Sequence, residues 1–246
     1  MRFAGKSAIV TGAGKGIGAA TARRLAAEGA NVVCADRDEA ALTEIMATIS
    51  GDGGKAFAVT ADVSKPEQVE AMVSAAISHF GALHLAVNNA GIGLPSAPTA
   101  EQSLENWNTM IAVNLSGVFH GLKYQIPAIL ASGGGAIVNV ASMFAHHALR
   151  GHAGYTAAKF GVVGLTRTAA ADYADKPIRI NTVCPGVIDT PLARSGGDDT
   201  DAVTAMIPVG RLGKAAEVAG VIAFLLSDDA SYVTASEYDV DGGILH

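Results

Sequence analysis

The chain has 246 residues, half of them apolar and 16% charged, with a formal net charge of −6. That length suits one large α/β domain, and a negative balance with scattered cations argues against nucleic acid or an anionic membrane as partner. No apolar run reaches the ~20 residues of a membrane span, so a cytoplasmic protein is expected, with Cys34 and Cys184 as buried free thiols.

In chain order, strand-length apolar runs alternate with helix-length segments. Strands are predicted near 7–11, 31–35, 55–60, 83–88, 135–141, 178–184 and 237–241. Helices are predicted near 17–28, 38–49, 66–80, 101–130 in two pieces, 153–174 and 215–227. The strands are continuously apolar rather than alternating, as strands covered on both faces are. The repeated strand–helix–strand order predicts a single-domain Rossmann fold, a doubly wound parallel sheet of seven strands with helices on both faces. The polar run 195–201 reads as a mobile surface loop.

The first strand ends in "TGAGKGIG", Thr11 to Gly18, with glycines at 12, 16 and 18. Glycines there let the chain turn sharply and let a pyrophosphate approach the helix N-terminus, where unpaired amides favour negative charge. Gly12, Lys15, Gly16, Ile17 and Gly18 are therefore expected to line a dinucleotide. Asp36 follows Gly18 by 18 residues, near the spacing of a carboxylate that binds the adenosine ribose. Its charge would repel a 2′-phosphate and favours NAD, whereas Lys15 and Arg37 pull towards NADP. NAD is the expectation, with NADP as the alternative.

Seven separated motifs then fall in one order: "TGAGKGIG", "ADV" at 61–63, "NNAG" at 88–91, "VNLSGVF" at 113–119, "IVNVAS" at 137–142, "YTAAK" at 155–159 and "NTVCPGVIDTPL" at 181–192. With these the chain resembles the short-chain dehydrogenase/reductase family over essentially its whole length. The resemblance implies that Asp62 and Val63 meet the adenine. It implies that Asn89, Ala90 and Gly91 line the adenosine side and steady the sheet. Pro185, Gly186, Ile188 and Thr190 would hold the nicotinamide carboxamide. Before the last strand the family often has Thr-Gly, and this chain has Ala235 in place of the glycine, which puts the local turn or a subunit contact in doubt.

Tyr155 and Lys159 are four residues apart and share one helix face. An ammonium about 4 Å from a phenol, at an effective dielectric of about 20, is worth roughly 4 kcal/mol. That is about three pKa units, of which desolvation takes some back. Tyr155 could then exchange a proton with an alcohol or carbonyl near neutral pH. The resemblance gives the same assignment. Tyr155 is the general acid/base, Lys159 lowers its pKa and grips the nicotinamide ribose, Ser142 hydrogen-bonds the substrate oxygen, and Asn114 holds a helix kink and a water. Asn88 is read as a residue that satisfies neighbouring backbone.

The segment between Ser142 and Tyr155 should border the substrate. Its His146, His147 and His152 have no acidic or cysteine neighbour in sequence, so no metal is expected. Phe144 and Leu149 offer apolar contact there. Trp107 and Met110 are read as packing residues of the long fourth helix. A lid is expected near 189–210. The reaction expected is hydride transfer between NAD and a small secondary alcohol or ketone, such as a cyclic alcohol, a diol or a sterol-like ring. Alternatives are an NADP-dependent reductase of 3-oxoacyl thioesters, and a non-catalytic dinucleotide sensor or scaffold. The sparse charges on the 101–130 and 153–174 helices, with the resemblance, imply a homotetramer.

Overall fold

Continuously apolar strands need cover on both faces, and the topology supplies it. A computed structural model describes residues 1–194 and 200–245. The elements run β1 (Ser7–Thr11), α1 (Gly16–Ala27), β2 (Asn31–Asp36), α2 (Glu39–Gly51), β3 (Lys55–Thr60), α3 (Pro66–Phe80) and β4 (Leu85–Asn88). Next come α4 (Leu104–Ile111), a π-helical turn (Ala112–Ser116), α5 (Gly117–Ala131), β5 (Gly135–Val140), α6 (Ala153–Asp172) and β6 (Ile178–Pro185). The chain closes with β7 (Ile188–Asp189), α7 (Pro191–Arg194), α8 (Thr200–Ala205), β8 (Gly213–Lys214), α9 (Ala215–Leu226) and β9 (Glu237–Val240).

Seven strands pair in parallel in the order β3-β2-β1-β4-β5-β6-β9, and β7 pairs with β8 apart from them. Leu25, Ile45, Ile49 and Ile222, from α1, α2 and α9, pack one face of the sheet. Met72, Leu122, Ile126 and Val162, from α3, α5 and α6, pack the other. The strand order reverses between β1 and β4, which opens a crevice at the carboxyl ends of the strands where such sheets bind ligands. The doubly wound architecture is therefore the one expected. Cys34 and Cys184 are both free and buried, also as expected.

Local features refine the expectation. Strand β4 starts at Leu85, because the Leu83 amide donates to Ser132 Oγ at 3.0 Å rather than to a neighbouring strand. The fourth helical region forms two pieces as expected, divided at the π turn, and Ser103 caps α4 by accepting from the Asn106 amide at 3.0 Å. Asn88 does not serve backbone: its side chain is buried in an amide network with Gln125 and Asn139, at 2.9–3.0 Å. The network continues from Asn139 to Thr166, so it ties β4, α5, β5 and α6 together. Of the loop expected at 195–201, residues 195–199 lie outside the described residues, and Thr200 already opens α8.

Ala235 is the only non-glycine residue with a positive φ among the described residues, at 59°. Its amide donates to the Ile180 carbonyl at 2.9 Å, and the neighbouring Thr234 Oγ1 accepts from the Ile180 amide at 3.2 Å. The turn before the last strand thus forms, but with alanine in the left-handed region that glycine adopts without strain.

Candidate active site

The glycine turn links β1 to α1, and its geometry explains the residues used. Gly16 has φ +56°, and a Cβ on Gly18 would collide with the Gly12 carbonyl oxygen and lie 2.5 Å from Asn89 Nδ2. Lys15 leaves the first amides of α1 without a side-chain cap, and no acidic residue occupies the first turn. That is an open anion site of the kind a pyrophosphate fills. The turn is bound to β4 as well. Asn89 Nδ2 donates to the carbonyls of Thr11 and Gly12 at 2.9 and 3.2 Å. The amides of Asn89 and Ala90 donate to Thr11 Oγ1 at 3.0 and 3.1 Å.

Asp36 ends β2 beside this turn. Its carboxylate accepts from the amides of Gly14 at 2.9 Å and Asp38 at 3.1 Å. Sequence spacing passed over Gly14, yet a Cβ there would lie 2.7 Å from Ala41 Cβ and 3.0 Å from Asp36 Oδ2. Lys15 pairs with Asp38 at 2.7 Å, so its charge is already neutralised. Arg37 is exposed and makes no ion pair among the described residues. Asp62 caps its own turn, accepting from the Ser64 amide at 2.9 Å, and Val63 is buried with its carbonyl 2.9 Å from His120 Nδ1.

The loop after β6 closes on the same crevice. The Gly186 amide donates to the Val240 carbonyl at 3.0 Å, and a Cβ on Gly186 would lie 2.6 Å from Asp241 Cα. Thr190 Oγ1 donates to the Ile188 carbonyl at 3.3 Å and starts α7 by accepting from the Ala193 amide. Thr190 Cγ2 lies 3.2 Å from the position a Gly16 Cβ would take, so Pro185–Thr190 and the glycine turn face each other. The glycine turn, the Asp36 carboxylate and this loop together form a cradle of the kind a dinucleotide fits.

Ser142, Tyr155, Lys159 and Asn114 meet in the crevice. Ser142 follows β5, is buried, and caps the short turn Met143–Ala145 by accepting from the Phe144 amide at 3.2 Å. Helix α6 carries Tyr155 and Lys159. The Lys159 ammonium is 4% exposed, donates to the Val140 carbonyl at 3.0 Å, and lies 5.6 Å from the centre of the Tyr155 ring. Asn114 is fully buried in the π turn. It clasps Ile92 by two bonds, accepting from its amide at 2.8 Å and donating to its carbonyl at 2.9 Å. Gly91 brings two of these groups together: a Cβ there would lie 3.1 Å from Asn114 Oδ1 and 3.8 Å from Lys159 Nζ.

The electrostatics differ from the simple charge pair. Burial raises the Tyr155 pKa above 10, and a hydrogen bond with Ser142 pulls it back in part. Burial also lowers Lys159 to about 8. The ammonium sits over the ring rather than against the hydroxyl, so desolvation outweighs the charge in the protein alone.

Near Tyr155 the cleft is lined by Leu94, Pro95, Asn106, Met110, His152 and Gly154. Met110 therefore does more than pack its helix, although Asn114 Nδ2 also contacts its sulfur at 2.7 Å. Gln102 closes the rim by donating to the carbonyls of Ala97 and Gly151 at 2.9 and 2.8 Å. Phe144 meets the Tyr155 ring edge-on, with centroids 6.5 Å apart. His146 has in space the acidic and cysteine neighbours that it lacks in sequence, which reopens the metal reading set aside for the three histidines. Its Nε2 lies 3.5 Å from Glu237 Oε2 and 3.4 Å from Asp239 Oδ1, and Cys184 is adjacent. Those partners come from β6 and β9, far along the chain.

A family model described as enoyl-(acyl carrier protein) reductase matches residues 12–245. Cyclohexanol dehydrogenase of Acinetobacter sp. (strain SE19) is 51% identical over 241 residues, covering 98% of this chain and 95% of that protein. 3beta-Hydroxysteroid dehydrogenase 1 of Eggerthella lenta is 44% identical over 245 residues, covering 98% and 94%. The crystal structure of levodione reductase superimposes with a TM-score of 0.94 at 40% identity, covering 98% of both chains.

Proposed function

The chain belongs to the short-chain dehydrogenase/reductase family, and we propose that it interconverts a small cyclic secondary alcohol and its ketone with NAD. The observation that carries this reading is that Tyr155 lines the cleft with the buried Lys159 ammonium over its ring and Ser142 hydrogen-bonded to it. Gly12, Gly16, Ile17, Gly18, Asp36, Asp62, Val63, Asn89, Ala90 and Gly91 would hold the adenosine diphosphate half of the cofactor. Pro185, Gly186, Ile188 and Thr190, with Lys159, would hold the nicotinamide half. When bound, the dinucleotide accepts the hydride in one direction and supplies it in the other.

Ser142 orients the substrate oxygen by hydrogen bonding. Tyr155 takes the hydroxyl proton during oxidation and returns it during reduction. Lys159, fixed on the Val140 carbonyl, contributes the positive charge that favours the phenolate over the phenol. Asn114 keeps the π turn and the Gly91–Ile92 segment in place. The rim at Leu94, Pro95 and Met110 is apolar and suits the carbon skeleton of a ring, as do the alcohols named in the relatives.

NAD over NADP is favoured because Asp36 faces the ribose position and Lys15 is spent on Asp38. A tetramer is favoured by Phe119 of α5 and Phe160 of α6, which are 49% and 46% exposed on helices with few charges. No helix among the described residues is long and apolar enough to cross a membrane. Two unpaired thiols suit the cytoplasm.

The test is the initial rate with a panel of secondary alcohols, each with NAD and with NADP. Turnover of cyclic alcohols with NAD is expected, rising with pH above 7 as the buried phenol ionises. Tyr155→Phe should cut kcat by about 10²–10⁴-fold and leave dinucleotide binding intact. A retained rate in that variant overturns the mechanism, and binding without turnover of any alcohol selects the sensor reading.

A further inference from the structure

His146, Cys184 and Glu237 converge without a role in the reaction above. The turn Met143–Ala145 delivers His146 to the carboxyl end of β6 and to β9 beside it. Cys184 and Asp239 are register partners across those strands, and Glu237 lies two residues before Asp239, on the same sheet face. One ligand atom each from His146, Cys184 and Glu237 lies within 4.8 Å of the others. A tetrahedral Zn²⁺ with bonds of about 2.0–2.3 Å spaces its ligands by about 3–4 Å, so a side-chain adjustment of about 1 Å closes the set.

The charges favour a cation. Two carboxylates, Glu237 and Asp239, approach the His146 imidazole at 3.5 and 3.4 Å. Arg167 pairs with Glu237 Oε1, which leaves Oε2 turned towards His146. The imidazole side chain is 30% exposed and offers a route in. An imidazole, a thiolate and a carboxylate are a mixed donor set that suits Zn²⁺ rather than Ca²⁺ or Mg²⁺.

The site also touches the catalytic apparatus. Ser142 caps the turn Met143–Ala145, and His146 follows it directly, its amide donating to the Met143 carbonyl at 3.1 Å. We propose that His146, Cys184 and Glu237 bind Zn²⁺, and that occupation slows turnover by pulling His146 and with it the turn that Ser142 caps, so moving the serine. Binding replaces the S–H bond by an S–Zn bond and releases the thiol proton to solvent. Burial and the two carboxylates hold the thiol protonated, up to about 12, so affinity rises with pH. Only the effect on turnover rests on the dehydrogenase reading.

The experiment titrates the intact, chelator-treated protein with Cd²⁺ and follows the thiolate-to-Cd²⁺ charge-transfer absorption. The expected result is one such centre per chain, displaced by Zn²⁺. It should vanish in Cys184→Ala, weaken about 10–100-fold in His146→Gln and in Glu237→Gln, and persist in Cys34→Ala. Because His146 is on the surface side of the cluster, its variant keeps the test decisive if Cys184→Ala fails to fold. No absorption in the wild type, or equal affinity in the His146 and Glu237 variants, overturns the site. Zn²⁺ should inhibit the wild type at concentrations that spare His146→Gln; binding without inhibition overturns the link to Ser142. If no alcohol is turned over, the dehydrogenase reading fails while the absorption still reports the site.

Discussion

Lys159 carries a buried charge whose cost can be measured apart from catalysis. Burial brings its pKa from 10.5 down to about 8 in the folded protein. The unfolded chain keeps the ordinary value. Below pH ~8 both states hold the proton and the cost is constant. Between about 8 and 10.5 the unfolded chain still binds the proton that the folded chain has released, so this residue makes stability rise with pH. A fall from 10.5 to about 8, at about 1.36 kcal/mol per pH unit, amounts to about 3 kcal/mol. The comparison is Lys159→Met against Lys159, both in a Tyr155→Phe background so that the neighbouring phenol does not titrate. Urea unfolding is followed from pH 7 to 10.5 at one protein concentration, since assembly also adds stability. The Lys159 chain should gain about 3 kcal/mol on the Met chain across that window, with no change below it. Loss of the bond to Val140 shifts the whole difference without altering its shape. A difference that stays flat to pH 10.5 would refute the desolvation argument.

Asp36→Asn should raise the NADP-to-NAD ratio of kcat/KM by at least about ten-fold, equivalent to about 1.4 kcal/mol, because the charge facing a 2′-phosphate is gone. Initial rates with both cofactors check this. Ala235→Gly should stabilise the protein by about 0.5–1 kcal/mol, the left-handed strain less the extra unfolded-state entropy, as a higher urea midpoint. Phe119→Glu with Phe160→Glu should lower the mass in sedimentation, with each chain still folded by circular dichroism.

Continuous apolar runs bounded by glycine turns placed all seven strands, because burial on both faces leaves no other pattern. The glycine turn, Asp36 and the Tyr155–Lys159 spacing were legible because each function rests on a short local segment. What stayed hidden depends on contacts between distant parts of the chain. Cys184 lies against Ser142 only because β5 and β6 are neighbours in the sheet. His146 meets Glu237 only because β9 adds to β6. The direction of the Tyr155 shift needed the actual placement of Lys159 on the Val140 carbonyl, since spacing fixes the face but not the distance. The π turn has no composition of its own, and Asn114 reads as an ordinary mid-helix residue until Ile92 is seen beside it.

The π turn at Ala112–Ser116 also sets a phase. A π turn carries about one residue more than an α turn, and each residue advances a helix by about 100°. Eight residues of plain α-helix would leave Val118 about 80° away from the face of Met110, and the wider turn takes up that surplus, so both are buried. Deleting one residue between 112 and 116 would let the turn relax to α geometry and leave Val118, Leu122, Ile126 and Ile129 seated on the sheet. What it would remove is the place from which Asn114 clasps Ile92. The rod thus carries one surplus residue whose loss falls on the site and not on the fold.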